Sequence, residues 1–298
     1  MFASHFGELA ALCTAVFWTI TALAFESAGR KVGSLAVNWI RLVLGLIFLS
    51  LFTWILRGKL LPLDASMHAW FWLSLSGFIG FALGDLFLFK AFVMIGSRIS
   101  MLIMASVPLL TATIGWIVMG ETLSTLDILG TALTIFGICW VVIKRKNGKN
   151  RVSLSHPVSG ILFAAGGALG QAIGLVFSKL GMGDYNAFAA TQIRIISGLA
   201  AFTFLFFVIR AWNKVGSALK HISAMKSLYL GSFFGPFLGV SFSLLAVQHT
   251  ATGVASAIMG IVPVLIIVPA VIIYKEKVSV KEIAGAVVAV GGVFILFL

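Results

Sequence analysis

Asp85 stands deep inside an apolar run, in GFALGDLFLFK, and no other acid is set so far from a polar segment. A carboxylate at mid-bilayer costs roughly 2.5–3.5 kcal/mol on insertion scales, so such a residue usually has work to do there. It could hold a cationic group, or take up a proton and release it on the other side. The structural alternative is a pair with Lys90 or Arg98 that fixes a helix end. Five residues correspond to about 140° around a helix, so an Asp85–Lys90 pair requires both side chains to bend.

Two arginines offer the opposite charge. Arg41 and Arg194 each lie about eight residues from the end of an apolar run. Long side chains can snorkel to the interface from that depth. The other reading is a pair of gate charges meeting Glu26 or Asp184 in turn.

A third set is uncharged. Thr14, Trp18, Thr21 and Phe25 recur at spacings of four, three and four, which is one face of a helix. Gly167, Gln171, Gly174 and Ser178 repeat that spacing later in the chain. Small and hydroxyl residues suit close helix packing in lipid. Trp18 and Gln171 favour a cavity wall, because a buried amide needs water or a solute as partner.

The elements that must position these residues are transmembrane helices. The chain has 298 residues, 60% hydrophobic and 10% charged, with a mean hydropathy of +1.12. Soluble domains carry about 25% charged residues, so a water-soluble fold is excluded. Apolar runs of about 20 residues match helices crossing roughly 30 Å of hydrocarbon, and the short alternating segments of a barrel are absent. The expected spans are 7–26, 34–56, 69–93, 98–119, 125–143, 158–179, 186–210, 226–248, 252–274 and 280–298. An all-α polytopic membrane protein of ten helices follows, with the first run read as a retained helix and not a cleaved signal.

The chain is internally duplicated. A shift of 155 residues places Gly80, Gly84, Pro108, Glu121, Gly130 and Gly137 on Gly235, Gly239, Pro263, Glu276, Gly285 and Gly292. MASVPLLTATIGWIVMGETLS thereby aligns with MGIVPVLIIVPAVIIYKEKVS without a gap. Nearer the start of each half the shift is 153, matching Gly7 with Gly160 and Arg41 with Arg194. The expected domains are a first five-helix repeat over 1–143, a basic linker over 144–156 and a second repeat over 157–298.

Five spans are an odd number, so the two copies must be inverted. Loop charges agree: 15 Lys and Arg residues fall on one side, and only Arg57, Lys59 and Lys179 on the other. The positive-inside rule puts the first set in the cytoplasm and both termini outside it. The net charge of +12 is thus explained by topology and not by a nucleic-acid surface. Inverted repeats around a central cavity are an architecture of secondary transporters.

Enzyme chemistry finds no support. HExxH, GxSxG and paired catalytic carboxylates are missing, and the five histidines lie scattered near span ends. Without GxxxxGK[ST], energy would come from a gradient or from exchange. A channel fits the helix count, yet no filter-like loop or ring of charges is visible. Cys13 and Cys139 lie in apolar runs and suggest neither a disulfide nor a metal site. Matched Pro108 and Pro263 invite paired bends that could act as hinges. Glu121 and Glu276 precede Ser or Thr at turns and suit helix N-termini.

Pro-x12-Glu followed nine residues later by Gly occurs twice, as Pro108, Glu121, Gly130 and as Pro263, Glu276, Gly285. With GDLFLFKAFVMIGSRIS, these motifs resemble the EamA-like families of the drug/metabolite transporter superfamily, across essentially the whole chain. The resemblance implies a basket-like bundle that exports or exchanges metabolites by alternating access. The expected protein is a monomer in the cell (inner) membrane, without cofactor, metal or nucleic acid. It would move a small metabolite such as an amino acid, or a cationic drug-like compound coupled to protons through Asp85. Substrate contacts are expected from Thr14, Trp18, Thr21, Asp85, Gln171 and Ser178. Gating or coupling is expected from Glu26, Arg41, Lys90 and Arg194.

Overall fold

The computed structural model describes residues 5–119, 125–145, 152–154, 156–249, 255, 258–275 and 278–295. Glu121 and Glu276, expected at helix starts, lie outside the described residues. In chain order the first repeat contains α1 (Phe6–Val32), α2 (Ser34–Arg57), α3 (Met67–Gly77), a π-helical segment (Phe78–Gly84), α4 (Asp85–Met104), α5 (Val107–Met119) and α6 (Thr125–Val142). The second contains α7 (Val158–Met182), α8 (Ala187–Val208), α9 (Trp212–Leu219), α10 (Ile222–Ser232), a second π-helical segment (Phe233–Gly239), α11 (Val240–His249), α12 (Val262–Leu265), α13 (Ile267–Tyr274) and α14 (Val280–Ile295).

Among the described residues, six helical stretches are long and apolar enough to cross a membrane: Phe6–Val32, Ser34–Arg57, Met67–Met104, Val158–Met182, Ala187–Val208 and Ile222–His249. Ala132–Val142 and Val262–Tyr274 are shorter apolar helices. The 38-residue stretch Met67–Met104 would measure about 57 Å if straight. It is divided by Gly96, whose φ of 81° and ψ of 158° no helix accommodates. Glycine takes that conformation without the Cβ clash other residues suffer.

Two features depart from the expected spans. The basic linker carries a short antiparallel pair, β1 (Ile143–Arg145) with β2 (Val152–Leu154), so the fold is not purely helical. The segment after α8 holds the short amphipathic helix α9, whose Val215 and Ala218 are buried. Trp212 at its start packs on Trp39, Phe206 and Phe207. The Trp212, Val215, Ala218, Leu219 spacing carried that signal, but the flanking lysines read as a loop.

The duplication reappears as geometry. The two π-helical segments, Phe78–Gly84 and Phe233–Gly239, are offset by the same 155 residues that align the sequences. The turn at 105–106 before Pro108 likewise returns at 260–261 before Pro263. Both prolines occupy the second position of a new helix, where a missing N–H has no intrahelical partner to lose. The break therefore precedes each proline; it is not a kink around it.

Glycine stripes set the packing between repeats. The first π segment lies on α7: a Cβ on Gly170 would come 2.6 Å from Gly84 Cα, and one on Gly174 3.1 Å from Gly80 Cα. The second lies on α1 by the mirrored contact, Gly235 against Thr21 and Gly239 against Trp18. Close backbone approach of this kind drives helix association where lipid offers no hydrophobic gain. In the remaining layer α6 packs on α14 through Gly137, Gly285 and Gly292. Ionic and hydrogen-bonded ties also join the end of α2 to the loops beside it. Asp64 meets Arg57 at 2.5 Å and Lys59 at 3.1 Å, and accepts from Tyr185 Oη at 3.0 Å. Partial burial pushes its carboxyl up, but the bonds from Lys59 and Tyr185 and the Arg57 charge win and pull it down to about 2.

Gly170→Leu should therefore destabilise the detergent-purified protein by about 1–3 kcal/mol or more through overpacking. Gly291→Leu, where an added Cβ meets nothing within 4 Å, should leave the melting temperature unchanged.

Candidate functional site

A cavity opens where the two repeats converge, with about 1110 Å³ of empty space counted out into its mouth. Its wall is drawn from both halves: Trp18, Thr21 and Phe25 of α1, Arg41 of α2, Phe81 of the first π segment, Asp85, Phe89 and Phe92 of α4, Gln171 of α7, Arg194 of α8 and Val240 and Ser243 of α11. Both repeated helix breaks reach it through Pro108 and Pro263. Local geometry explains the polar positions. A π-helical turn offsets the side chains that follow it, and Asp85 is the first residue after Gly84.

Asp85 is 4% exposed and fully engaged. Arg41 Nη2 donates to its Oδ2 at 2.5 Å, and Gln171 Nε2 donates to its Oδ1 at 2.7 Å. Arg41 Nε donates to Asn38 Oδ1 at 3.2 Å, while Asn38 Nδ2 reaches the Asp85 carbonyl at 3.2 Å. The guanidinium also lies 4.7 Å from the centre of the Phe89 ring. Neither Lys90 nor Arg98 is the partner: Lys90 is exposed, and Arg98 pairs with Glu282 at 3.0 Å. Arg41 does not snorkel either, being 3% exposed inside the bundle.

Arg194 shares the cavity but not the pairing. It is 3% exposed, its Nε has no hydrogen-bond partner, and its guanidinium sits 4.6 Å from the Phe81 ring centre. Its backbone is pressed against Gly77, where a methyl group would collide with the Arg194 carbonyl.

The other expected residues lie elsewhere. Thr14 is buried and donates to the Ala10 carbonyl at 2.8 Å. Ser178 is buried at the α3–α7 contact, 2.8 Å from Ser76 Oγ. Glu26, with no exposure, accepts from Arg30 at 2.6 Å and from the Ser97 amide at 2.7 Å, beside the Gly96 break. Asp184 is exposed, so neither candidate gate acid meets Arg41 or Arg194 in this state.

The sequence profile of the EamA-like transporter family matches residues 5–143 and then, a second time, residues 158–298. The chain belongs to the EamA-like transporter family. Comparison with curated proteins finds no match, whereas 28 chains of solved structures match. One, titled "Crystal structure of protein", shares 19% sequence identity and superposes with a TM-score of 0.63. The match covers 98% of this chain and 96% of that one, and it shows a shared fold.

In this EamA-like protein the Arg41–Asp85 network and the cavity wall also hold residues that helix-face spacing did not single out. Asn38 lies three residues before Arg41 on the same helix face, an amide in an apolar run, and that spacing could have flagged it. Phe81, Phe89 and Phe92 were hidden among 26 phenylalanines. Breaking a buried ion pair strands the remaining charge, at about 3–5 kcal/mol. Asp85→Leu should lower stability by that order, and Arg41→Met/Asp85→Leu together should recover most of it. Thermal melting of the four proteins in the cycle checks this.

Proposed function

We propose that this EamA-like protein is a secondary transporter, an exporter or exchanger that carries a small metabolite of amino-acid size by alternating access through the central cavity. The observation that carries the reading is a largely apolar cavity at the meeting of two duplicated halves, with its charged groups concentrated there. Each half contributes the same breakable elements around it, a π-helical segment and a turn before proline. Such elements supply places where helices can re-pack as access changes sides.

The proposed topology has ten spans in two inverted five-helix repeats, 1–143 and 157–298, with 144–156 between them. Two groups of contacts at or near the ends of the helices support that reading. At one end Lys31 meets Ser223 at 2.8 Å, Arg98 meets Glu282, and Tyr274 Oη donates to the Leu23 carbonyl at 2.6 Å. At the other, Tyr185 meets Asp64, Gln248 donates to the Tyr185 carbonyl at 2.8 Å, and Phe6 packs on His249. The first group carries the basic loops and is assigned to the cytoplasm of the cell membrane, leaving both termini outside. One chain supplies every described residue of the cavity wall, so a monomer suffices. Trp18, Thr21 and Gln171 are proposed to face the solute, with the Arg41–Asp85 pair and Glu26 stabilising the present state. Thr14, Ser178 and Lys90 have no place in that role here.

Counterflow in proteoliposomes tests the reading. Uptake of a labelled metabolite should be saturable and accelerated by the same compound loaded inside, and Trp18→Ala should reduce it at least tenfold. Uptake without trans-acceleration, or ionic current, would make the protein a passive channel. Uptake of organic cations that depends on a pH gradient and fails in Asp85→Asn would favour a proton-coupled cation exporter.

A further inference from the structure

We infer that Arg194 is the anion site of this cavity, and that the transported solute carries a single carboxylate on an apolar or aromatic body. The inference rests on the cavity being the transport site, and it goes on to assign the solute's chemistry. Among the described lining residues three are charged: Arg41, Asp85 and Arg194. The first two are spent on each other at 2.5 Å, and Gln171 takes the second carboxylate oxygen. What remains is one guanidinium, 97% buried, with an unpartnered Nε, lying against an aromatic ring in the cavity wall.

The duplication explains why this cation is alone. Arg41 and Arg194 occupy equivalent positions in the two repeats, and Arg41 is neutralised by Asp85. The residue equivalent to Asp85 in the second repeat is Val240, which also lines the cavity. One copy of an ancestral pair of positions thus holds its acid, while the other presents a guanidinium without one. Among the described residues no carboxylate stands within ion-pair distance of Arg194. A buried cation is strongly disfavoured until an anion meets it, and arginine's planar fork matches a carboxylate with two parallel bonds.

Charge balance sets the valence. The lining carries a net charge of one positive unit, so a monoanion leaves the loaded cavity neutral. An ammonium head would meet Arg194 with like charge, and a phosphate dianion would leave an excess negative charge among apolar walls. Those walls, Trp18, Phe25, Phe89 and Phe92 with Met101 and Met104, suit an apolar or aromatic body.

Binding to the full-length purified protein tests the assignment, using 3-phenylpropanoate, 3-phenylpropanamide, 3-phenylpropan-1-amine and phenyl phosphate as probes. The acid should raise the melting temperature, and the other three should not. Arg194→Gln should weaken the acid at least ~10-fold, the loss expected for a charge-assisted bond, while the ligand-free melting temperature holds or rises. Val240→Asp, which supplies the missing acid, should also abolish binding and serves if Arg194→Gln fails to fold. Equal binding of acid and amide, tighter binding of amine or phosphate, or full affinity in Arg194→Gln would overturn the inference. Should no probe bind, counterflow decides. Exchange of solutes lacking a carboxylate sinks the anion assignment alone, whereas absence of exchange for every solute sinks the transport reading with it.

Discussion

A charge in the middle of a membrane protein needs a counter-charge or a solvated cavity, and in this cavity wall Arg41 and Asp85 answer each other. The Arg41–Asp85 pair joins α2 to α4 within the first repeat, and Gln171 extends it to α7 of the second. Desolvating each ion costs several kcal/mol, which the pair recovers only through good geometry and full hydrogen bonding. Asn38 and the ring of Phe89 supply the remainder. The π-helical segment before Asp85 and the glycine contact with α7 bring the three elements close enough for that network to form.

From that constraint the symmetry and its breaking both follow. The halves share their glycine stripes, π segments and proline turns, so each packs its third helix on the other's first helix in the same way. The faces singled out by spacing, Thr14 to Phe25 and Gly167 to Ser178, serve packing and cavity at once. Thr21 touches both Gly235 and the cavity, whereas Thr14 and Ser178 turn to backbone carbonyls and neighbouring hydroxyls. What differs between the halves is charge, and a difference in charge between like halves gives the cavity a polarity that its shape does not.

Much of this was legible in the sequence because lipid imposes strict rules. Apolar run length and a gapless internal alignment carried the long apolar helices, the duplication and the residues worth watching. Asp85, Arg41, Arg194, Trp18, Thr21, Gln171, Pro108 and Pro263 all reach the cavity. Pairings were not legible. Lys90 is near Asp85 in sequence and remote on the helix surface, while Arg41 is distant in sequence and adjacent in space. No periodicity distinguishes a phenylalanine facing lipid from one facing a cavity, so Phe81, Phe89 and Phe92 stayed unseen. The α9 helix was masked by the lysines around it, and the break at Gly96 looked like an ordinary loop.

The central claim is that this cavity is a solute pathway exposed to one side of the membrane at a time. Ser243 lines it from the second repeat. A Ser243→Cys variant, with Cys13 and Cys139 replaced by alanine, can be exposed in sealed vesicles to a membrane-impermeant thiol reagent applied to either face. The account predicts that the introduced thiol reacts, that the transported solute slows the reaction, and that the reactive face changes when the solute gradient is reversed. A thiol that reacts from neither face, or from one face regardless of solute and gradient, would contradict it.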